Sequence, residues 1–138
     1  MTSLIDEINI LYDTKNIQYL HKSKNNNVYI DEHLFKTSIT NLIVNAIKYS
    51  DKRLPIIITS TNTNTNKFSI KIKDAGIGIP AINQPNIFNK FYRGNNTSNI
   101  GGTGLGLHIT KKLVNLMGGN LTFNSKENKG TTFTITYS

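Results

Sequence analysis

The stretch from Asp31 to Ser50, DEHLFKTSITNLIVNAIKYS, constrains this chain more than any other. Leu34, Phe35, Ile39, Leu42, Ile43, Ala46 and Ile47 recur at three- and four-residue steps, which gathers them on one face of a helix. Asp31 stands where a side-chain oxygen can accept a free backbone N–H of the first turn, so it predicts the N-cap. The helix should end near Ser50 to Lys52, ahead of Pro55. The runs around it supply strands for its apolar face to cover. IQYLHKS (Ile17 to Ser23) alternates apolar and polar residues, and Val28 to Ile30 forms a second short strand after the polar turn Lys24 to Asn27. Ile56 to Thr61 and Phe68 to Lys73 flank TNTNTN as an antiparallel hairpin, and Leu121 to Phe123 and Thr132 to Tyr137 are the final strands. A second periodic helix covers Leu105 to Met117, stopped by Gly118 and Gly119. A short helix is expected around Asn83 to Phe91, and Leu4, Ile5, Ile8, Leu11 and Tyr12 share one helical face at the start. Strands and helices alternate without strict βαβ units. That order predicts an α+β domain, a mixed and largely antiparallel sheet with helices on one face.

Composition excludes several classes of function. A chain of 138 residues, 37% hydrophobic, is one domain with a real core. With no cysteine there is no disulfide framework, no thiolate metal site and no cysteine nucleophile. Three scattered His make a His-rich metal site an unpromising reading. No apolar run approaches the roughly 18 residues of a membrane span, and MTSLIDEINILYD lacks the basic and apolar blocks of a signal peptide. A soluble, intracellular domain is therefore expected. The net charge of +8 and pI of about 9.7 suit an anionic partner, although excess Lys also serves solubility alone. The 20 Asn, often clustered, fit an AT-rich genome and say little about chemistry.

Four segments carry more than packing. In Asn41-Leu-Ile-Val-Asn45-Ala-Ile-Lys48-Tyr49-Ser50, three polar side chains share the helix face opposite Leu42, Ile43, Ala46 and Ile47. Two amide oxygens and an ammonium there can hold hydrated Mg²⁺ and phosphate oxygens, or can form a merely solvated face. Asp74-Ala-Gly76-Ile-Gly78-Ile-Pro80 ends a β-run. Its carboxylate can accept from an exocyclic amine, and its glycines let a ring approach the backbone; a bare turn is the plain alternative. The loose G-x-G-x-x-A match at Gly76, Gly78 and Ala81 is not a dinucleotide fingerprint. Pro80 sits where the helix should open, and no acidic residue follows at the ribose offset. Gly101-Gly102-Thr103-Gly104-Leu105-Gly106-Leu107 leads into a helix, so free N–H groups and the helix dipole make an anion cradle. It lacks the Gly-Lys-Ser/Thr of a Walker A loop. Finally, in Ile87-Phe88-Asn89-Lys90-Phe91-Tyr92-Arg93, Phe88 and Phe91 can pin a loop end and Arg93 can meet phosphate, or the aromatics simply fill the core.

In that order and spacing the segments resemble the catalytic ATP-binding domain of bacterial sensor histidine kinases, in the wider group with gyrase, Hsp90 and MutL. NLIVNAIKYS is similar to the N box, DAGIGIP to the G1 box, IFNKFYR to the F box, GTGLGL to the G2 box, and Gly130-Thr131-Thr132-Phe133 to the closing Gly-Thr turn. The likeness runs from about Ile17 to Tyr137. It implies a two-layer α/β sandwich, the Bergerat ATP-binding fold, with about three helices over the sheet and a mobile ATP lid from about Asn89 to Thr103. It implies that Asn45, seconded by Asn41, helps hold Mg²⁺ on the triphosphate, that Lys48 meets phosphate, and that Tyr49 packs on adenine or ribose. Asp74 would accept the adenine amine, and Gly76, Gly78 and Ile79 would shape the base pocket. Gly102, Gly104, Leu105 and Gly106 would line the phosphate side of the lid, Arg93 would reach phosphate, and Thr131 would close the adenine pocket. ATP and Mg²⁺ are the implied ligands.

One position discriminates within the group. Hydrolytic members carry Glu four residues before the Mg²⁺ asparagine, and anti-sigma-factor kinases an acid; here the residue is Asn41. An amide is no general base at neutral pH, so the resemblance implies a histidine kinase that hydrolyses ATP slowly. The kinase phosphorylates a His followed by an acid on a separate dimerisation domain. His21-Lys22, His33-Leu34 and His108-Ile109 do not fit that pattern and are expected to be structural. Residues 1–14 are then expected to be the stub of the preceding dimerisation helix and 15–138 the catalytic domain, as a C-terminal piece of a larger cytoplasmic or membrane-anchored kinase. Its partners would be the phosphoacceptor domain of the same kinase and, indirectly, a response regulator. A non-catalytic ATP-binding decoy or docking fragment, or a slow ATPase of the group, is the alternative. No nucleic-acid partner is expected, since the Lys are dispersed without interleaved aromatics, and no direct membrane contact is expected.

Overall fold

A computed structural model of the chain describes residues 17–23, 31–50, 53–62, 67–89 and 106–137. The expected helix over Leu4 to Tyr12 and the short strand Val28 to Ile30 lie outside the described residues. The long helix, α1, runs Glu32–Tyr49, and the Asp31 carboxylate caps it by accepting from the Leu34 N–H at 3.0 Å. Its C-terminus is closed by Ser50, extended in backbone, whose N–H donates to the Ala46 carbonyl. The strands are β1 (Ile17–Ser23), β2 (Ile56–Asn62), β3 (Phe68–Asp74), β4 (Asn120–Lys126) and β5 (Gly130–Tyr137). The second helix, α2, covers Gly106–Leu116.

The strands form one sheet in the order β1-β2-β3-β5-β4. β1 pairs parallel with β2, which α1 connects, and the other three pairings are antiparallel. α1 packs on α2 and crosses β3, and α2 lies along β4. The helices therefore share one face of the sheet, and the strands alternate buried and exposed side chains as a one-sided sheet demands. Register aligns the inward residues in rows: Ile72, Phe133 and Phe123 in one, Ile70, Ile135 and Leu121 in the next, then Phe68 and Tyr137. Phe35 on α1 meets the last row, its ring centroid 6.1 Å from Phe68 and 6.5 Å from Tyr137. Burial pushes the Tyr137 phenol up to about 12, and its hydroxyl donates to the Met117 sulfur at 3.6 Å.

Two elements differ from expectation. Where a helix was expected over Asn83 to Phe91, the described residues, as far as Asn89, form a single 3₁₀ turn, Gln84–Asn86. Pro85 has no N–H to give, and the chain there closes i to i−3 bonds, Asn83 to Pro80 and Asn86 to Asn83. β4 extends three residues past Phe123. Asn124, Ser125 and Lys126 have weak strand propensity, but the ladder to Thr132, Thr131 and Gly130 overrides it. Two α-helices and this 3₁₀ turn thus lie among the described residues, and none of these helices is long and apolar enough to cross a membrane.

Ile39, Leu42, Ile43 and Ala46 press α1 onto the sheet, with Ile39 and Ile43 fully enclosed. Truncating Ile43→Ala leaves a cavity at the helix–sheet contact, and urea denaturation should show a loss of about 2–5 kcal/mol.

Candidate functional site

The apolar rows of the sheet stop at one end in a polar one. Asp74 on β3 lies opposite Thr131 on β5, which lies opposite Ser125 on β4. Asp74 and Thr131 are 6% and 7% exposed, where a carboxylate and a hydroxyl are costly unless partnered. Asp74 Oδ1 accepts two backbone N–H groups, from Gly76 at 3.0 Å and Thr131 at 3.3 Å. Among the described residues its Oδ2 accepts none. Burial raises the Asp74 carboxyl to about 6, and the Gly76 and Thr131 N–H groups pull the other way without offsetting it.

The turn after β3 is held from two sides. On one side Ile77 N–H donates to the Tyr49 carbonyl at 3.1 Å, and Ser50 forms a bridge with Gly76. A Cβ at Gly76 would collide with the Tyr49 carbonyl, so only glycine lets the turn seat against the end of α1. On the other side the β4–β5 turn closes over it: Asn128 N–H donates to the Ile77 carbonyl at 2.7 Å, and Gly78, at φ +67, faces the Lys126 carbonyl with no room for a side chain. Ile79 N–H donates to Ser125 Oγ at 2.8 Å, and the Gln84 amide donates to both the Ile79 and Ser125 carbonyls, at 3.1 and 3.0 Å.

The fold brings Tyr49, Asp74, Gly76, Gly78, Ile79 and Thr131 together around the turn and sets Asn41, Asn45, Lys48 and Gly106 on the two helices. Asn41 and Asn45 are half-buried on α1, one turn apart, on the side away from Leu42, Ile43 and Ala46. Lys48 is exposed in the last turn, and Tyr49, half-buried, ends the helix beside Gly76. Asp74, Gly76, Gly78, Ile79 and Thr131 converge around the turn. Gly106 opens α2. Arg93, Gly102, Gly104 and Leu105 lie outside the described residues. Sequence reasoning missed Ser125 and Gln84. Ser125 was legible as the polar residue at the inward parity of Leu121 and Phe123, had the strand been carried on to it; Gln84 carries no such signal.

Among the described residues no group of three or more His, Cys, Asp or Glu is placed to hold a metal ion. Neutral amide oxygens such as those of Asn41 and Asn45 suit Mg²⁺, which keeps several waters and takes the rest of its ligands from substrate phosphates. His108, half-buried on α2, has its Nδ1 3.1 Å from the Phe88 carbonyl, and Lys111 Nζ donates to the Leu121 carbonyl while lying 5.2 Å from the centre of the Phe88 ring. Both side chains anchor the segment that follows the turn, and this is a structural employment for His108.

Comparison with known proteins shows the family and the fold. Residues 30–138 match the family model described as histidine kinase-, DNA gyrase B- and HSP90-like ATPase. The sensor histidine kinase YvrG of Bacillus subtilis is 36% identical over 149 residues, covering 99% of this chain and 25% of that protein. The signal transduction histidine-protein kinase ArlS of Staphylococcus aureus is 41% identical over 117 residues, covering 83% and 26%. The solved catalytic domain of histidine kinase ThkA superposes with a TM-score of 0.75 at 30% identity, over 98% of this chain and 91% of that one. The mycobacterial sensor histidine kinase MprB, at 24% identity, shares the fold with a TM-score of 0.79, over 99% of this chain and 93% of that one. The chain belongs to the histidine kinase-, gyrase B- and HSP90-like ATPase family. It spans about a quarter of the length of the curated relatives it matches and corresponds to their ATP-binding part.

The raised Asp74 carboxyl has a signed consequence for stability. Between the unfolded value of 3.8 and about 6 the folded chain keeps a proton that the unfolded chain has lost. Raising pH through that window therefore removes stability, by about 3 kcal/mol in all, and the loss is complete above the folded value. Urea denaturation across this range should show the wild type falling relative to Asp74→Asn, whose side chain does not titrate.

Proposed function

We propose that this chain binds ATP with Mg²⁺ and serves as the catalytic domain of a two-component sensor histidine kinase, delivering the γ-phosphate to a His on a separate helical domain. The observation that carries the reading is the buried Asp74 carboxylate. One oxygen is consumed by two backbone donors and the other is left without a partner among the described residues. An unpaired buried acceptor costs free energy until a donor meets it, and the exocyclic amine of adenine is such a donor. Gly76, Gly78 and Ile79 then bring backbone rather than side chain to the ring, Tyr49 packs beside it, and Thr131 closes the pocket from β5.

Asn45 and Asn41 are the residues that would hold Mg²⁺, whose bound charge offsets that of the phosphates. Lys48 and Arg93 would meet phosphate oxygens, and Gly102, Gly104, Leu105 and Gly106, which precede or open α2 in sequence, would offer backbone N–H groups. Asn41 stands where a water-activating carboxylate would be needed for hydrolysis, and its amide cannot take the proton. The γ-phosphate is therefore kept for an external nucleophile, the imidazole of a His on the separate dimerisation domain of the same kinase. A response regulator would receive the phosphoryl group from that domain.

Calorimetry should give one ATP per chain in the presence of Mg²⁺. Asp74→Asn presents an amide N–H₂ toward the adenine amine, two donors facing each other, and should weaken binding by at least about a hundredfold; GTP should not substitute for ATP. A folded wild-type chain that ignores ATP overturns the reading.

Mixed with [γ-³²P]ATP and the isolated His-bearing dimerisation domain of a cognate kinase, the chain should label that domain while releasing inorganic phosphate only slowly. Tight ATP binding with no label on the His supports the docking-fragment alternative instead.

A further inference from the structure

We infer that Ser125 is a positioning residue that sets the base selectivity of the site by fixing the proton of Thr131. The inference rests on the nucleotide reading above and deepens it. Ser125 Oγ makes three contacts: the Ile79 N–H at 2.8 Å, the Gly130 carbonyl at 3.1 Å and Thr131 Oγ1 at 2.7 Å. A hydroxyl has one proton and two lone pairs. The Ile79 N–H can only donate and the Gly130 carbonyl can only accept. One assignment satisfies all three contacts together: Ser125 donates to Gly130, accepts from Ile79, and accepts the Thr131 O–H with its remaining lone pair.

The consequence falls on Thr131. With its proton committed to Ser125, Thr131 Oγ1 has lone pairs only for anything that enters beside it. Its cross-strand partner is Asp74, whose Oδ2, without a partner among the described residues, is likewise an acceptor. The edge of the site is then an acceptor pair, which welcomes an exocyclic amine and rejects a carbonyl oxygen. Gln84 holds the arrangement in place, because its amide spans the carbonyls of Ile79 and Ser125 and keeps the Ile79 N–H against the Ser125 hydroxyl. If Ser125 could not accept, the Thr131 hydroxyl would be free to turn its proton into the site and donate to a carbonyl-bearing base.

The test is competition of ATP and inosine triphosphate against a fluorescent ATP analogue, on the full chain, well above the Asp74 titration. The two nucleotides differ along one purine edge, a 6-amine with an unprotonated N1 in ATP against a 6-carbonyl with an N1–H in inosine triphosphate. Ser125→Ala should shrink the ratio of their affinities by about tenfold, chiefly by tighter inosine triphosphate binding. Ser125→Thr, which keeps the hydroxyl on a strand, should restore the wild-type ratio. In a Thr131→Val background, Ser125→Ala should leave the ratio unmoved. Should Ser125→Ala not fold, Ser125→Cys, near-isosteric and a poor acceptor, carries the same expectation. A wild type that prefers ATP, with a Ser125 variant that weakens both nucleotides equally, overturns the inference and spares the nucleotide reading. An unchanged ratio overturns it too, as does a ratio shift that persists without the Thr131 hydroxyl. A folded wild type that binds neither nucleotide overturns both.

Discussion

A single carboxylate oxygen, Asp74 Oδ1, joins three parts of this molecule. It takes the Gly76 N–H from the turn that follows its own strand and the Thr131 N–H from the strand alongside. The turn is thereby tied to the sheet at the point where apolar rows give way to a polar one, and the end of α1 and the β4–β5 turn close on it from opposite sides. Charge burial makes this expensive, and the elevated Asp74 carboxyl records the expense. The stability given up there leaves one carboxylate oxygen without a partner among the described residues, a pattern common where binding groups are held ready in advance.

The glycines show why this arrangement tolerates so little substitution. At Gly76 the backbone of α1 stands where a side chain would be, and at Gly78 the backbone of β4 does. These are contacts of main chain on main chain, so no rotamer change in a neighbour makes room. The short interval from Asp74 to Pro80 therefore works as a rigid plug between two elements that are otherwise remote in the chain.

The large periodic elements could be read directly from sequence. The α1 stripe from Leu34 to Ile47, its Asp31 cap, the hairpin either side of TNTNTN and the glycine stop after α2 all express local chemistry, and the structure keeps them. The placing of Asn41 and Asn45 on one face of α1, and of Asp74 and Thr131 at the ends of their strands, was also legible, because it depends on spacing along one element or at one turn. Pairing was not. Nothing local tells that β1 runs parallel to β2, or that β5 inserts between β3 and β4. Ser125 and Gln84 belong to that second kind of information. Each works through a partner about forty residues away, Ile79 reaching Ser125 across 46 positions and Gln84 across 41. The weak strand propensity of Asn124 to Lys126 hid the inward parity of Ser125 until the ladder to β5 was seen. The short helix expected around Asn83 to Phe91 is, among the described residues, a 3₁₀ turn at Gln84–Asn86, and Pro85 suits the first turn of either kind, so local sequence does not separate them.

The strand order also bears on how the domain is made. β5, the last in sequence of the five described strands, is not at an edge but between β3 and β4. While a ribosome is still producing this chain, β1, β2 and β3 can assemble with α1, yet β3 keeps an open edge and Asp74 lacks its Thr131 donor. Nascent chains short of β5 thus expose an unpaired strand, the feature most prone to wrong partnerships. Nucleotide could act as a ligand chaperone only after Thr131 has emerged, so the site is among the last features of the fold to exist.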